Sequence, residues 1–375
     1  MIAKIVIGLG YGDEGKGLAT DYFSRTVDCL LPLVVRFSGG PQAGHTVWTN
    51  RSKRHVHSNY GSGTYRSNFP SFFTEHTCVY PVTIEREKKM LEEQTGNSPI
   101  LFIHPLAKVI TPFDVWANRS CDANLKNGTC GLGIGKTMHR NETSPFKLYA
   151  IDLMDEERTR QKLVAIKNYY HIKEFADELR VEVDEFFEAL KTRTWEIADY
   201  KTLPIKATFQ SLILEGSQGI LLDMDHGVFP NVTYANTTSK NAIEVIKNFS
   251  NFISDIDTEI VYITRAYSTR HGNGEFKESY NVRKELQKSV KSLETNVYNE
   301  FQGRFKIGEI NYDSLNRALE IDFAYHDIFY KRSLFITCID QRLKLFDFDT
   351  SKLDIDFYNT YRSYSKDGDR VYKKQ

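Results

Sequence analysis

The 375 residues carry 49 acidic and 49 basic side chains, so the formal net charge is zero. With 41% hydrophobic and 26% charged residues, the composition is that of a globular chain able to bury a large core. This balance argues against a general nucleic-acid binder, which carries a basic excess. The five cysteines (Cys29, Cys78, Cys121, Cys130 and Cys338) are odd in number and lack C-x-x-C spacing. That pattern argues against a disulfide framework and a zinc site. No apolar run reaches the roughly 18 residues of a membrane helix, and the N-terminal run is too short for a signal peptide. A reducing cytoplasm is expected, with neither membrane nor nucleic acid as partner.

In chain order, residues 2–8 read as a doubly buried parallel strand, and Leu18 to Arg25 as a short helix. LLPLVVRF (30–37) is a second buried strand, followed by the glycine-rich SGGPQAGHT. EREKKMLEEQTG (85–96) is a helix closed by Gly96, and SPILFIHPLAKVI (98–110) carries a strand. A glycine loop, NGTCGLGIGK (127–136), follows. Residues 155–200 have the pattern of a solvated helical layer. SLILEGSQG (211–219) and EIVYITRAYSTR (259–270) each read as strand then loop, and SLFITCID (333–340) as the last clear strand. The tail after Phe346 is expected to pack loosely.

Strands alternating with helices imply α/β architecture: a mostly parallel central sheet with helices on both faces. No repeat or linker divides the chain, so a single domain over 1–375 is expected. Ligands in such sheets bind beyond the carboxyl ends of the strands. The glycine loops after residues 8, 37, 214 and 265 would share that edge. They would gather Asp13, Lys16, His45, Gln218, Asp223, His226, Arg265 and Arg270 into one cleft.

The stretch GLGYGDEGKG (8–17) fits two phosphate-binding templates incompletely. A dinucleotide fold wants an acidic residue about 20 positions further on, and residues 30–38 hold none. A P-loop wants a magnesium-binding hydroxyl after its lysine, and Gly17 stands there. A third reading has backbone N–H groups of Gly15 to Gly17 and the Lys16 ammonium holding nucleotide phosphates. A carboxylate beside phosphates needs a cation or a proton transfer. Asp13 can then bind Mg²⁺, act as a base, or both; a loop-capping role is its plain structural alternative.

Six stretches together resemble adenylosuccinate synthetases: GYGDEGKG (10–17), RFSGGPQAGHT (36–46), GTCGLGIG (128–135), EGSQGILLDMDHGVFPNVTYANTT (215–238), RAYSTRHGNG (265–274) and FQGRFKIG (301–308). The resemblance implies a Mg²⁺-dependent homodimeric ligase. It joins L-aspartate to the 6-position of a purine nucleoside monophosphate, IMP, through a 6-phosphoryl intermediate made with GTP. Carried over by position, Asp13, His45 and Lys16 would be catalytic. Asp13 and the Gly44 carbonyl would ligate the metal. Gly12, Glu14, Gly15, Lys16, Gly17, Gly44, Thr46, Asp340 and Ser365 would hold the triphosphate. Asp13, Gln42, Thr129, Cys130, Gln218, Thr233, His271 and Arg304 would hold the monophosphate. Gln302, Gly303 and Arg304 would face the incoming aspartate.

The chain also departs from the family pattern. Gln42, Cys130 and His271 replace an asparagine, a threonine and a valine. An arginine-rich loop is reduced to FQGRFK, and Arg140 is only a candidate for the arginine given across the dimer. The guanine-reading TKLD is Thr337-Cys338-Ile339-Asp340. Such changes resemble phage enzymes that act on dGMP with ATP or dATP, although those replace the aspartate that Asp13 keeps. Asp223, Asp225 and His226 have metal-like spacing, and an ordering role for that loop is favoured.

Overall fold

The computed structural model describes residues 1–26, 30–49, 53–121, 131–173, 177–204, 208–290, 304–342 and 348–374. Sixteen strands are described: β1 (Ile2–Gly8), β2 (Pro32–Arg36), β3 (His45–Thr49), β4 (Lys53–His57), β5 (Ser71–Phe73), β6 (Cys78–Val79), β7 (Leu101–Ile103), β8 (Lys108–Val109), β9 (Glu196–Ile197), β10 (Ser211–Gly219), β11 (Asp257–Arg265), β12 (Ser268–His271), β13 (Phe305–Gly308), β14 (Lys331–Thr337), β15 (Asn359–Ser363) and β16 (Val371–Lys374). Ten form one sheet in the order β16-β15-β14-β11-β1-β10-β2-β5-β7-β9. Its pairs are parallel except β15 with β16.

The apolar run of β1 lies between β10 and β11, so both its faces are covered. Ala3, Ile5 and Ile7 point into a core shared with Ala242, Val245 and Phe249 of the helix Lys240–Ser250. Val6 points the other way, toward Ala19 and Phe23 of α1 (Lys16–Ser24). Lys4 is buried on that second face, and its Nζ donates to Glu259 of β11 at 2.6 Å. A buried charge needs such a partner.

Helix α1 starts two residues earlier than the sequence suggests. After the four-residue α2 (Thr64–Ser67), α3 (Pro81–Thr95) begins with proline at its first turn and closes at Gly96. The 155–200 region holds two helices, Glu156–Tyr169 and Asp177–Lys191. Each buries one face (Leu163 and Ile166; Leu179, Phe186, Phe187 and Leu190), so the layer is more than a solvated coat. The tail departs most from expectation. β15 and β16 extend the main sheet, and Phe348, Leu353 and Tyr361 are buried. SGGPQAGHT leads directly into the antiparallel hairpin β3–β4, which the sequence did not announce. Among the described residues, no helix is long and apolar enough to cross a membrane.

Candidate functional site

The loop after β1 turns sharply and delivers the chain into α1. The Gly12 N–H donates to Glu14 Oε1 at 2.7 Å. Lys16 Nζ donates to the Gly12 carbonyl at 2.8 Å and to Glu14 Oε2 at 3.0 Å. Glu14 is buried beneath the loop, where a Cβ on Gly8 would lie 2.1 Å from its Oε2. One of the two loop carboxylates therefore pins the lysine. The first turn of α1 offers backbone N–H groups to an anion. At the next position a Cβ on Gly17 would stand 2.9 Å from the Cβ of His45. The P-loop hydroxyl is missing because α1 packs directly on β3.

Asp13 is the other loop carboxylate. It keeps part of its surface open, but surrounding protein strips most of its hydration. This desolvation pushes its carboxyl from 3.8 up to about 6; Glu14 adds to the rise, and Arg265, His271 and Lys16 oppose it. Arg265, at the end of β11, donates through Nε to the Asp13 carbonyl.

His45 opens β3 with both ring nitrogens engaged. Nδ1 lies 2.7 Å from Glu215 Oε1 and Nε2 lies 3.3 Å from the Ser217 carbonyl. Ser62 donates its N–H and hydroxyl to the same Glu215 carboxylate. Desolvation would raise Glu215, but His45, Arg36 and Ser62 hold it down to about 2. Burial lowers His45, against the pull of Glu215. Both ring nitrogens face oxygen acceptors, so the ring donates to both only as an imidazolium, a charge that burial opposes and the ionised Glu215 carboxylate balances.

A family model for adenylosuccinate synthetase matches residues 5–321. The chain belongs to the adenylosuccinate synthetase family. It is 31% identical over 291 residues to the adenylosuccinate synthetase of Chlorobium chlorochromatii, covering 73% of this chain and 64% of that protein. The chain thus spans a little under two thirds of that relative's length. The fully ligated adenylosuccinate synthetase of Plasmodium falciparum superposes with a TM-score of 0.68 at 20% identity, over 91% of this chain and 77% of that one. The succinoaminodeoxyadenylate synthetase of cyanophage S-2L, bound to dGMP and dATP, gives 0.67 at 16% identity, over 99% and 94%. Both share the adenylosuccinate synthetase fold.

Several residues expected from the family pattern come together. Gln218 packs on the loop, where a Cβ on Gly12 would lie 2.2 Å from its Oε1. Gln42 follows the β2 glycines, and its amide has no partner among the described residues. Gly44 is exposed and Thr46 is half-buried on β3. His271, at the end of β12, packs edge-on against Phe305 and acts electrostatically on Asp13. The base-reading candidates also cluster. Asp340 is desolvated and raised, with Arg370 and Asp367 acting on it from the Ser365 loop. Thr337, at the end of β14, donates to the Glu14 carbonyl at 2.6 Å, so this loop borders the glycine loop.

Other expected residues are tied to neighbours of their own. Arg304 is exposed, with both terminal nitrogens on Glu278. Thr233 is half-buried and donates its N–H to the Leu222 carbonyl at 2.8 Å. Asp223 accepts from the N–H groups of Thr237 and Asp225, and His226 Nε2 meets the Tyr325 hydroxyl. These contacts fit the ordering role. Arg140, the candidate for the arginine given across a dimer, is fully buried, with Nη2 2.9 Å from Asp114 and Nη1 on the Phe146 carbonyl, so its guanidinium is committed within this chain. Thr129, Cys130, Gln302 and Gly303 lie outside the described residues. A cavity of about 1070 Å³ opens beside Gly10, Glu14, Arg265 and Glu278, but Asp13, Lys16 and His45 do not line it.

Sequence reasoning missed Glu215 and Arg36. Each is a charged residue closing an apolar strand run, SLILE and PLVVR, and each is buried at the sheet's carboxyl edge. That misplaced charge was the available signal.

Proposed function

We propose that this chain is a ligase that joins L-aspartate to C6 of IMP at the expense of GTP, in purine nucleotide biosynthesis. Asp13, whose carboxyl is raised by burial to about 6 against the pull of Arg265 and Lys16, carries the reading. Its carboxylate takes the N1 proton of the purine, and the 6-oxygen then attacks the γ-phosphorus of GTP, breaking its bond to the bridging oxygen so that GDP leaves. His45 donates from Nε2 to that oxygen, and Glu215 balances the imidazolium charge this requires. Lys16 leaves Glu14 to neutralise the moving phosphoryl group. The aspartate amine displaces phosphate from C6, restoring aromaticity. Gly12, Gly15, Gly17 and Thr46 surround the triphosphate, with Asp340 and Ser365 at its guanine. Gln42, Gln218, Thr233 and His271 surround the monophosphate, with Arg304 near the aspartate.

The desolvated Asp13 carboxyl and the exposed Gly44 backbone are hard oxygen donors that suit Mg²⁺. Bound there, the ion would supply charge neutralisation at the phosphate oxygens. The chain acts in this reading as one domain and as a cytoplasmic homodimer whose cross-subunit arginine is not Arg140.

A second reading has dGMP as acceptor and ATP or dATP as donor. His271 favours it, because an imidazole packed on Phe305 stands where the family pattern puts a valine near the ribose. A sugar without its 2′-hydroxyl asks for less room there. The test is a matrix of IMP, dIMP, GMP and dGMP against GTP, ATP and dATP, scored by aspartate-dependent phosphate release. Release with IMP and GTP is expected. Release confined to dGMP with ATP or dATP moves the enzyme to the second reading, and no release from any pair removes both.

A further inference from the structure

We infer that His55, His57 and Glu87 form a Zn²⁺ site behind the hairpin that carries His45. β4 places the two histidines two residues apart, so both stand on one face of the strand. α3 brings Glu87 against them. His57 is 0% exposed, and His55 and Glu87 are each 3% exposed. Glu87 Oε2 accepts from the N–H of Ser58 at 3.0 Å, the N–H of Asn59 at 2.6 Å and Asn59 Nδ2 at 2.9 Å. The carboxylate is thereby fixed with Oε1 turned to the rings. Oε1 lies 3.3 Å from His55 Nε2 and 3.5 Å from His57 Nδ1.

The three ligand atoms all fall within 4.8 Å of one another. Zinc bonds of about 2.0–2.2 Å set tetrahedral edges of about 3.3–3.6 Å. The two separations from Glu87 Oε1 match those edges, and the two ring nitrogens lie within 4.8 Å of each other.

Hydrogen bonding points the same way. His57 Nδ1 meets only Glu87 Oε1, at 3.5 Å, and its buried Nε2 has no hydrogen-bond partner among the described residues. A polar atom so placed gives up its hydration for nothing in return. His55 Nδ1 lies 3.0 Å from Gln94 Oε1, an outer acceptor for its N–H that turns Nε2 toward Glu87 when an ion takes the place between them. Metal-bound imidazoles are oriented by such an outer partner. Two imidazoles and one carboxylate suit Zn²⁺, whereas Mg²⁺ takes oxygen sets. A fourth position remains for water. The five cysteines gave no zinc pattern, and the H-x-H of β4 with a glutamate 30 residues on was not read as one.

His57 is the cross-strand partner of His45. An ion on His57 would tie β4 to α3 and fix the register in which β3 presents His45. The site is a brace and takes no part in the proposed reaction.

The test uses the full chain, stripped with a chelator and then given ZnCl₂ alone. After gel filtration, elemental analysis is expected to find one Zn²⁺ per chain, with the melting temperature raised by about 5 °C. Co²⁺ in its place should give the intense visible bands of a tetrahedral ion. His55→Gln keeps a hydrogen-bonding group beside Glu87 and should lose the metal while staying folded. Failure of the stripped wild-type chain to retain Zn²⁺ overturns the inference, with no variant needed. Undiminished Zn²⁺ in His55→Gln also overturns it, because the ion would then belong to the thiols.

Discussion

Gly17 of α1 and His45 of β3 meet backbone to side chain: a Cβ on the glycine would lie 2.9 Å from His45 Cβ and 3.1 Å from its carbonyl carbon. Neither neighbour is a flexible side-chain end, so a larger residue must move the strand. Gly17→Ser would restore a P-loop hydroxyl and displace His45. Overpacking of this kind costs about 1–3 kcal/mol. We expect a lower melting temperature and a kcat reduced about 10²-fold, the size of losing one oxyanion donor. Normal turnover would separate the His45 position from the chemistry.

Asp13 links activity and stability to pH in opposite senses. Its carboxyl is raised from 3.8 to about 6 in the fold, so the folded chain holds this proton more tightly than the unfolded chain. The favourable contribution is complete below about 4 and is lost as pH rises through about 6. Asp13→Asn should therefore melt about 2–4 °C above wild type at pH 8 and show no gain at pH 4. As a base, ionised Asp13 makes wild-type kcat/KM fall about tenfold per pH unit below its pKa. Melting curves and rate profiles from pH 4 to 8 check both slopes.

Glu215 acts through His45, so it is a positioning residue. Glu215→Gln removes the acceptor that fixes Nδ1–H and the charge that balances an imidazolium. We expect kcat to fall about 10²-fold or more with KM for the nucleotides little changed. His45→Ala should fall about as far, and the double variant no further, since the two act as one unit. Additive losses would show that Glu215 contributes to turnover independently of His45, and an unchanged kcat would leave it a role in stability alone.

Arg140 and Asp114 form a buried pair with 0% side-chain exposure on both partners. Arg140→Met leaves Asp114 charged and unpaired, which costs about 3–5 kcal/mol. Denaturant unfolding should show that loss, and sedimentation should show an unchanged oligomeric state. A dissociated but equally stable chain would restore the cross-subunit role.

The glycine loop, β1 and the parallel strands were legible because their signals are local: apolar β-branched runs, and glycines that end them. His45 was legible only as a motif residue. The hairpin that aims it depends on the pairing of β3 with β4, and HTVWT and KRHVH show no distinctive apolar alternation. Glu215 was hidden because its partners, His45 and Ser62, lie more than 150 residues away. The strands of the tail were hidden too. That segment is rich in Asp, Lys, Tyr and Ser without an apolar run, and β15 earns its place by stacking Tyr361 on Phe335 of β14.

The most direct measurement is aspartate-dependent phosphate release by Asp13→Ala, set beside binding of the same nucleotides at pH 8. If this carboxylate is the base that activates the 6-oxygen, turnover drops by about 10²–10⁴ while the nucleotides still bind. Turnover within a few-fold of wild type would contradict the account, whatever the purine substrate proves to be.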